Sequence, residues 1–466
     1  MKSRYVIFVS SVAAMGGLLF GYDTAVISGA VEPLRHHFSL GPLALGWVVG
    51  SALVGSVAGA AIAGKLTDAI GRRAALWLSG LLFLVSGIWC YISPSVGQLV
   101  MARILGGIGV GVASLLVPVY IAELAPPQSR GALVSLNQVA ILVGMVFSYL
   151  VNAWTGMLGG NEWLATSGWR VMLGAEAAPA LIFLTLSMRI PESPRWLLKR
   201  ERTDDARRVL DRLHGETMGR RELAEIKEAI THEQGTVAEL FEPGRRGTVV
   251  MAMVLALFQA ITGINIVMYY APTIFASAGI GTGRALEQSV IIGLVMLAFT
   301  LVSMLLVDRL GRRPIMLLAA AGMGLSLTLL GAMFTADGGH ARWSLIWILT
   351  YVSSFSIGMG GIYWVVVSEI FPTRVRGAAM SLSVVFLWGG NYLVSQFFPA
   401  MLAALHSRVF FVFAVMCGAC LAFIWRFVPE TRGRTLEEIE RELFGSSPTP
   451  QTYSARARGG TPAGET

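Results

Sequence analysis

Long apolar stretches alternate along this chain with short polar connections, and each stretch is about as long as a bilayer demands. Roughly 20 largely apolar residues carry a helix across the hydrocarbon layer. Twelve such stretches are read, near residues 5–30, 44–66, 74–92, 98–121, 132–153, 169–190, 247–276, 287–307, 314–334, 344–367, 378–402 and 408–428. One region breaks the pattern. Between residues 196 and 246, Ala206, Val209, Leu210 and Leu213 recur at helical spacing among Arg207, Arg208, Asp211 and Arg212. Leu223, Ile226 and Ile230 do the same among Glu222, Glu225, Lys227 and Glu228. That periodicity predicts short amphipathic helices lying on one face of the membrane part. From about residue 446 onward Ser, Thr, Pro and Gly dominate, which predicts a disordered tail. The predicted fold class is an all-α membrane protein of twelve transmembrane helices.

The polar connections repeat. Asp68-Ala-Ile-Gly-Arg72-Arg73 returns 240 residues later as Asp308-Arg-Leu-Gly-Arg312-Arg313. Glu123 with Arg130-Gly131 is answered by Glu369 with Arg376-Gly377, and Pro191-Glu192-Ser193 by Pro429-Glu430-Thr431. Three landmarks in one order at one approximate spacing make the chain a tandem repeat of two six-helix halves. The expected domains are a first bundle over 1–190, a linker over 191–246, a second bundle over 247–428 and a tail over 429–466. In membrane proteins such repeats carry a site between halves that rock against each other.

Composition agrees with a membrane location. Only 14% of residues are charged and 55% are hydrophobic, where a soluble domain carries about 25% charge. The net charge of +8 is read as basic cytoplasmic loops, not as a nucleic-acid footprint. The repeated cassettes share one side with Lys2, Arg4, Lys65, the linker and the tail, while the opposite loops hold only Arg35, Arg284, Arg342 and Arg408. The basic side is taken as cytoplasmic, with both termini there. Cys90, Cys417 and Cys420 lie in apolar segments, so no disulfide framework is expected, and no cleavable signal peptide is evident. Gly59 to Leu66 nearly spells a phosphate-binding loop. It has Leu66 where a hydroxyl should be and lies inside an apolar helix, so nucleotide binding is set aside. Gly46/Gly50, Gly55/Gly59 and Gly107/Gly111 read instead as small-residue pairs that let helices approach. Cys417-Gly-Ala-Cys420 has redox spacing, but on an apolar span it reads as packing. No catalytic or metal constellation is seen.

Away from their first and last few residues, the predicted spans hold three charges: Asp23, Arg103 and Glu176. A lone charge at the bilayer centre costs about 3 kcal/mol on insertion scales. Two carboxylates and one arginine form a set that can trade partners and carry a proton; a purely structural ion-pair network is the alternative. The second half is richer in amides and aromatics. Gln259 and Asn265 precede Tyr269 and Tyr270, and Trp364, Trp388 and Asn391 follow. Gln138 adds an amide from the first half. Amides both donate and accept, which suits hydroxyl-rich ligands, and indoles offer faces to sugar C–H surfaces. Interhelical bonding is the plain alternative for any single amide.

By Gly64-x-x-x-Asp68-x-x-Gly-Arg-Arg, Pro191-Glu-Ser-Pro-Arg195-Trp196, Gln259…Gly-Ile-Asn265 and Pro429-Glu-Thr-x-Gly433, the chain resembles the sugar porters of the major facilitator superfamily over about residues 1–440. The likeness extends to the bacterial xylose- and galactose-proton symporters and, more distantly, to the facilitative glucose transporters. It implies proton coupling through Asp23, Arg103 and Glu176. It implies sugar ligands at Gln138, Gln259, Asn265, Trp364 and Asn391, with Trp388 beside them. It also implies a cytoplasmic gate of Asp68, Arg72, Arg73, Glu123, Arg130, Glu192, Asp308, Arg312, Arg313, Glu369, Arg376 and Glu430 that latches the outward-open state. Ala260, Met296 and Leu387 stand where the family usually carries amides, and Met359 and Gly361 lie where helix 10 usually has prolines. The pocket is therefore expected to be less polar than in relatives. The expectation is a monomeric sugar or polyol symporter in the cell membrane, with the proton as coupling ion and no cofactor. An uncoupled facilitator and a membrane sugar sensor are the alternatives.

Overall fold

The computed structural model describes residues 2–232, 237–241, 246–277, 281–335, 341–371, 373–434 and 438. All regular elements among them are helical. Six spans form the first half: α1 (Lys2–His37), α2 (Pro42–Ile70), α3 (Arg72–Ile92), α4 (Val96–Leu124), α5 (Arg130–Leu158) and α6 (Asn161–Ser187). Three short helices follow, α7 (Pro194–Lys199), α8 (Thr203–His214) and α9 (Glu216–His232). The amphipathic reading holds for α8, where Ala206, Leu210 and Leu213 are buried. The tail beyond 446 lies outside the described residues.

The second half contains α10 (Arg246–Ile261) and α11 (Ile264–Ser277), α12 (Thr282–Leu310), α13 (Arg312–Thr335), α14 (Ala341–Phe355) and α15 (Ile362–Glu369), α16 (Thr373–Leu405) and α17 (Val409–Phe427). Eleven stretches are long and apolar enough to cross a membrane, and one of them, Val375–Phe427, has 53 residues. At 1.5 Å per residue that is far more than one crossing. The chain turns back within it at His406, a non-glycine residue with φ 51°. The count is therefore twelve crossings, as the hydropathy pattern predicts.

Three crossings are less regular than that pattern suggests. The seventh breaks at Thr262-Gly263, where Gly263 takes φ 99°. The freed Thr262 carbonyl accepts from the Tyr351 hydroxyl at 3.0 Å. The sixth carries a π turn over Leu164–Gly168 and a second interruption at Ala175-Glu176, and the tenth carries a π turn over Ser356–Gly360. Hydropathy hides such breaks because it does not report hydrogen-bond register.

The glycine pairs divide in an unforeseen way. Gly55, Gly59, Gly107 and Gly111 hold α2 against α4, and a Cβ at Gly107 would lie 1.9 Å from the Ala52 carbonyl oxygen. Gly46 and Gly50 instead face the other half. A Cβ at Gly46 would lie 2.0 Å from the carbonyl oxygen of Gln396 on α16. The Gln396 amide also donates to the Leu43 carbonyl at 3.0 Å. On the other side of the molecule, α5 meets α11 and α12. The Tyr149 hydroxyl donates to the Met268 carbonyl at 3.1 Å, and the ring packs on Gly293. These seams join the ends of the helices remote from the repeated cassettes.

Candidate functional site

Asp23 on α1 and Arg103 on α4 meet in the middle of the first half. Arg103 Nη1 donates to Asp23 Oδ1 at 2.7 Å, and both residues are about 2% exposed. One turn beyond Arg103, Gly106 lets α3 approach α4 beside the pair: a Cβ there would lie 2.5 Å from Ser86 Oγ. Glu176 enters from the interruption in α6, equally buried, and its Oε1 has no hydrogen-bond partner among the described residues. Arg103 Nε is likewise unpartnered. Two carboxylates thus face one guanidinium in a place closed to water. If both are ionised, one negative charge is left uncompensated, and a proton is the smallest species that can compensate it.

The polar residues of the second half are buried with unmet hydrogen-bonding capacity. Gln259 Oε1, Asn265 Nδ2, Trp388 Nε1 and Asn391 Oδ1 all lack partners among the described residues. Buried polar atoms are nearly always paired, so a group of orphans calls for a ligand or water. Gln138 and Trp364 are half-buried. The two tyrosines are placed differently from these. Tyr270 donates its hydroxyl to the Ser395 carbonyl at 3.0 Å, so it holds α11 to α16. Tyr269 is buried within electrostatic reach of Arg103 and Asp23 and so approaches the charged cluster of the other half. Sequence reasoning overlooked Phe20, three residues before Asp23, whose ring meets Trp388 across the halves with centroids 5.5 Å apart. The only available signal was its place on the Asp23 helix. Ala260, where the family usually carries a second glutamine, faces Gly390: a Cβ on that glycine would lie 2.9 Å from the Ala260 Cβ. The small side chain lets α10 and α16 touch.

The repeated cassettes form two copies of one device. Gly71 (φ 95°) and Gly311 (φ 92°) turn the chain into the next helix. In the first copy Glu192 accepts from the backbone N–H of Arg72 at 2.8 Å and of Arg73 at 3.2 Å. In the second Glu430 accepts from those of Arg312 and Arg313, both at 3.0 Å. Each carboxylate sits where the helix dipole is positive. Arg72 reaches Asp68 at 2.8 Å and Glu123 at 3.3 Å, and Arg312 reaches Glu369 at 3.2 Å. Arg73 bonds the Met188 carbonyl, and Arg313 the Trp425 carbonyl. Each of these bonds closes within its own half. Arg376 approaches the Phe371 carbonyl at 3.4 Å, while Arg130 is exposed at the start of α5. The Asp308 side chain lies outside the described residues.

Burial pushes the Glu192 carboxyl above its ordinary range, against the pull of the Ser193, Arg73 and Arg72 amides. At Glu430 burial also acts upward, but the Arg432, Arg312, Arg313 and Thr431 amides outweigh it and hold the carboxyl below that range.

Known proteins share this pattern over most of the chain. The family model described as "Sugar (and other) transporter" matches residues 9–443. The arabinose-proton symporter of Bacillus subtilis (strain 168) is 39% identical over 439 residues, covering 94% of this chain and 95% of that protein. The D-xylose-proton symporter of Escherichia coli (strain K12) is 40% identical over 473 residues, covering 94% and 96%. Among solved structures, the inward-open xylose transporter XylE from E. coli superposes with a TM-score of 0.84 at 38% identity, covering 94% of this chain and 100% of that one. XylE bound to 6-bromo-6-deoxy-D-glucose gives 0.79 at 39% identity, covering 95% and 100%. The higher score of the inward-open form agrees with halves joined at the ends remote from the cassettes. The chain is a multi-pass membrane transporter, not an enzyme, and it belongs to the sugar porter family of the major facilitator superfamily.

Proposed function

We propose that the protein is a proton-coupled symporter of a monosaccharide or polyol, working by alternating access in the cell membrane with both termini cytoplasmic. The observation that carries this reading is the buried Asp23–Arg103 pair with Glu176 left over beside it. A facilitator has no need of a buried carboxylate that lacks a partner. The relatives named as arabinose- and xylose-proton symporters support the same class of cargo.

A mechanism follows from the charges. Protonation of one carboxyl relieves the uncompensated charge and frees Arg103 to hold the other. The sugar meets Gln259, Asn265 and Asn391 from one half and Gln138 from the other. Trp388 and Trp364 cover its apolar faces, and the indole of Trp388 meets Phe20 three residues from Asp23. Closure of the halves over sugar and proton exchange on the Asp23 helix are thereby mechanically joined. On the cytoplasmic side the two cassettes act as half-latches that pair across the halves when the outer seam opens.

The test is uptake in proteoliposomes. Asp23→Asn should abolish accumulation driven by a pH gradient while leaving sugar counterflow. Full proton-driven accumulation in that variant would overturn the coupling. A wild-type protein that equilibrates sugar but never concentrates it would favour the uncoupled facilitator.

A further inference from the structure

His214 closes α8 at the membrane face, and its imidazole is nearly enclosed, with 5% of the side chain exposed. Each ring nitrogen has a neighbour that can only accept. Nε2 lies 3.0 Å from the carbonyl oxygen of Leu124, the last residue of α4. Nδ1 lies 2.7 Å from the Oε2 of Glu222 on α9. A neutral imidazole carries one N–H and no charge; with Nε2–H given to the Leu124 carbonyl, only the imidazolium also sets a positive charge against the Glu222 carboxylate, whose contact with Nδ1 is an ion pair and not an aligned hydrogen bond. We infer that His214 and Glu222 form a second proton-binding site, outside the transport path, that docks the amphipathic helices onto the end of α4 when it is protonated and releases them when it is not.

The surroundings support the cation. Burial works against it, but the Glu222 carboxylate and the Leu124 carbonyl outweigh burial and raise the imidazole above its ordinary value, with Arg130 at the start of α5 opposing them. Several other charged groups on the packed elements are occupied elsewhere, Arg221 with Glu225 and Arg208 with Asp205 among them. Glu123 is turned to Arg72, Asp211 pairs with Arg207, and Tyr5 on α1 lies under the Arg212 guanidinium. The Arg200 guanidinium, beside the end of α7, donates to the Asp68 and Ala69 carbonyls, and α7 itself carries Arg195 and Lys199. The position of the contact gives it leverage. Leu124 directly follows Glu123, the acid that pairs with Arg72 in the first half-latch. An open apolar groove adjoins the contact, lined by Val6, Pro126, Leu133, Leu213, His214 and Met218. Release of α8 would widen that groove and uncover the connection from α4 to α5.

The sign is fixed by the raised value. Docking is complete below the ordinary histidine value of about 6.5 and is lost as pH rises through the higher value of the folded protein. That the site faces the cytoplasm rests on the proposed orientation; the two contacts do not.

Hydrogen exchange of the full-length protein in nanodiscs tests the inference without reference to transport. Peptides covering residues 124–133 and 205–218 are followed between about pH 5.5 and about pH 9, corrected for intrinsic exchange. Wild type should lose protection roughly tenfold across one step above about pH 6.5, the size of one charge-assisted bond. Glu222→Gln should move that step to lower pH, and His214→Gln should remove it. A wild-type profile without a step, or a step unmoved in Glu222→Gln, overturns the inference. Should His214→Gln fail to fold, the Glu222→Gln shift decides alone.

Discussion

The two repeated cassettes share a backbone and differ in how exposed their ion pairs are. In each, a glycine with φ near +95° aims the first amides of a helix at a glutamate from the end of the same half. In the first copy the Arg72 and Glu123 side chains are both 8% exposed, and Asp68 adds a second bond. In the second, Arg312 is 14% and Glu369 25% exposed, and Glu369 shares its other oxygen with the Thr431 hydroxyl at 2.6 Å. The carboxyls that seat the two helices follow suit, with Glu192 held above the ordinary range and Glu430 below it. Duplication kept the geometry that the fold needs and let the electrostatics diverge. The Arg72–Glu123 pair is the drier of the two joints and the Arg312–Glu369 pair the wetter.

Removing the acid partners should separate them most clearly. Glu123→Ala leaves the buried Arg72 guanidinium with Asp68 as its one acid and should cost about 2 kcal/mol of stability. Glu369→Ala, with water at hand, should cost about 1 kcal/mol. Thermal unfolding in one detergent measures both, and equal losses would erase the distinction. The glycines come next. Alanine at either position is strained by its φ. A Cβ at Gly71 would also lie 2.4 Å from Glu192 Oε2, against 2.8 Å from Glu430 Oε2 at Gly311. Gly71→Ala should destabilise by about 2 kcal/mol and Gly311→Ala by about 1 kcal/mol, read from the same melts. The smallest effect is a pH dependence of opposite sign. The contribution of Glu430 is present above its ordinary value and is lost as pH falls through its lowered one. That of Glu192 is present in acid and is lost as pH rises through its raised one. Unfolding midpoints of Glu192→Gln and Glu430→Gln against wild type, between about pH 3 and about pH 7, should therefore diverge in opposite directions.

The sequence revealed most where it repeats itself or breaks a rule of the bilayer. The cassettes were legible because three landmarks recur in order, and the structure shows why: each copy pairs a glutamate with two helix-opening amides. Asp23, Arg103 and Glu176 stood out because charge is costly in hydrocarbon, and the fold gathers all three in one cluster. The amides of Gln259, Asn265 and Asn391 stood out because groups that both donate and accept gather there beside aromatics, and the fold leaves each with an orphaned polar atom. What spacing could not reveal was direction. Gly46 and Gly107 carry the same small-residue signature, yet one faces the opposite half and the other its own. Phe20 carries no polar group, so nothing in its chemistry separates it from the apolar residues around it. The break at Thr262-Gly263 lies between two of these amides, Gln259 and Asn265, and its sign is a backbone angle.

At Gly46 one main chain rests against another, with no side chain on the first to shorten. No substitution at that position can therefore tighten the outer seam; each adds volume and works as a wedge. Mutational drift there can only loosen the seam between the halves.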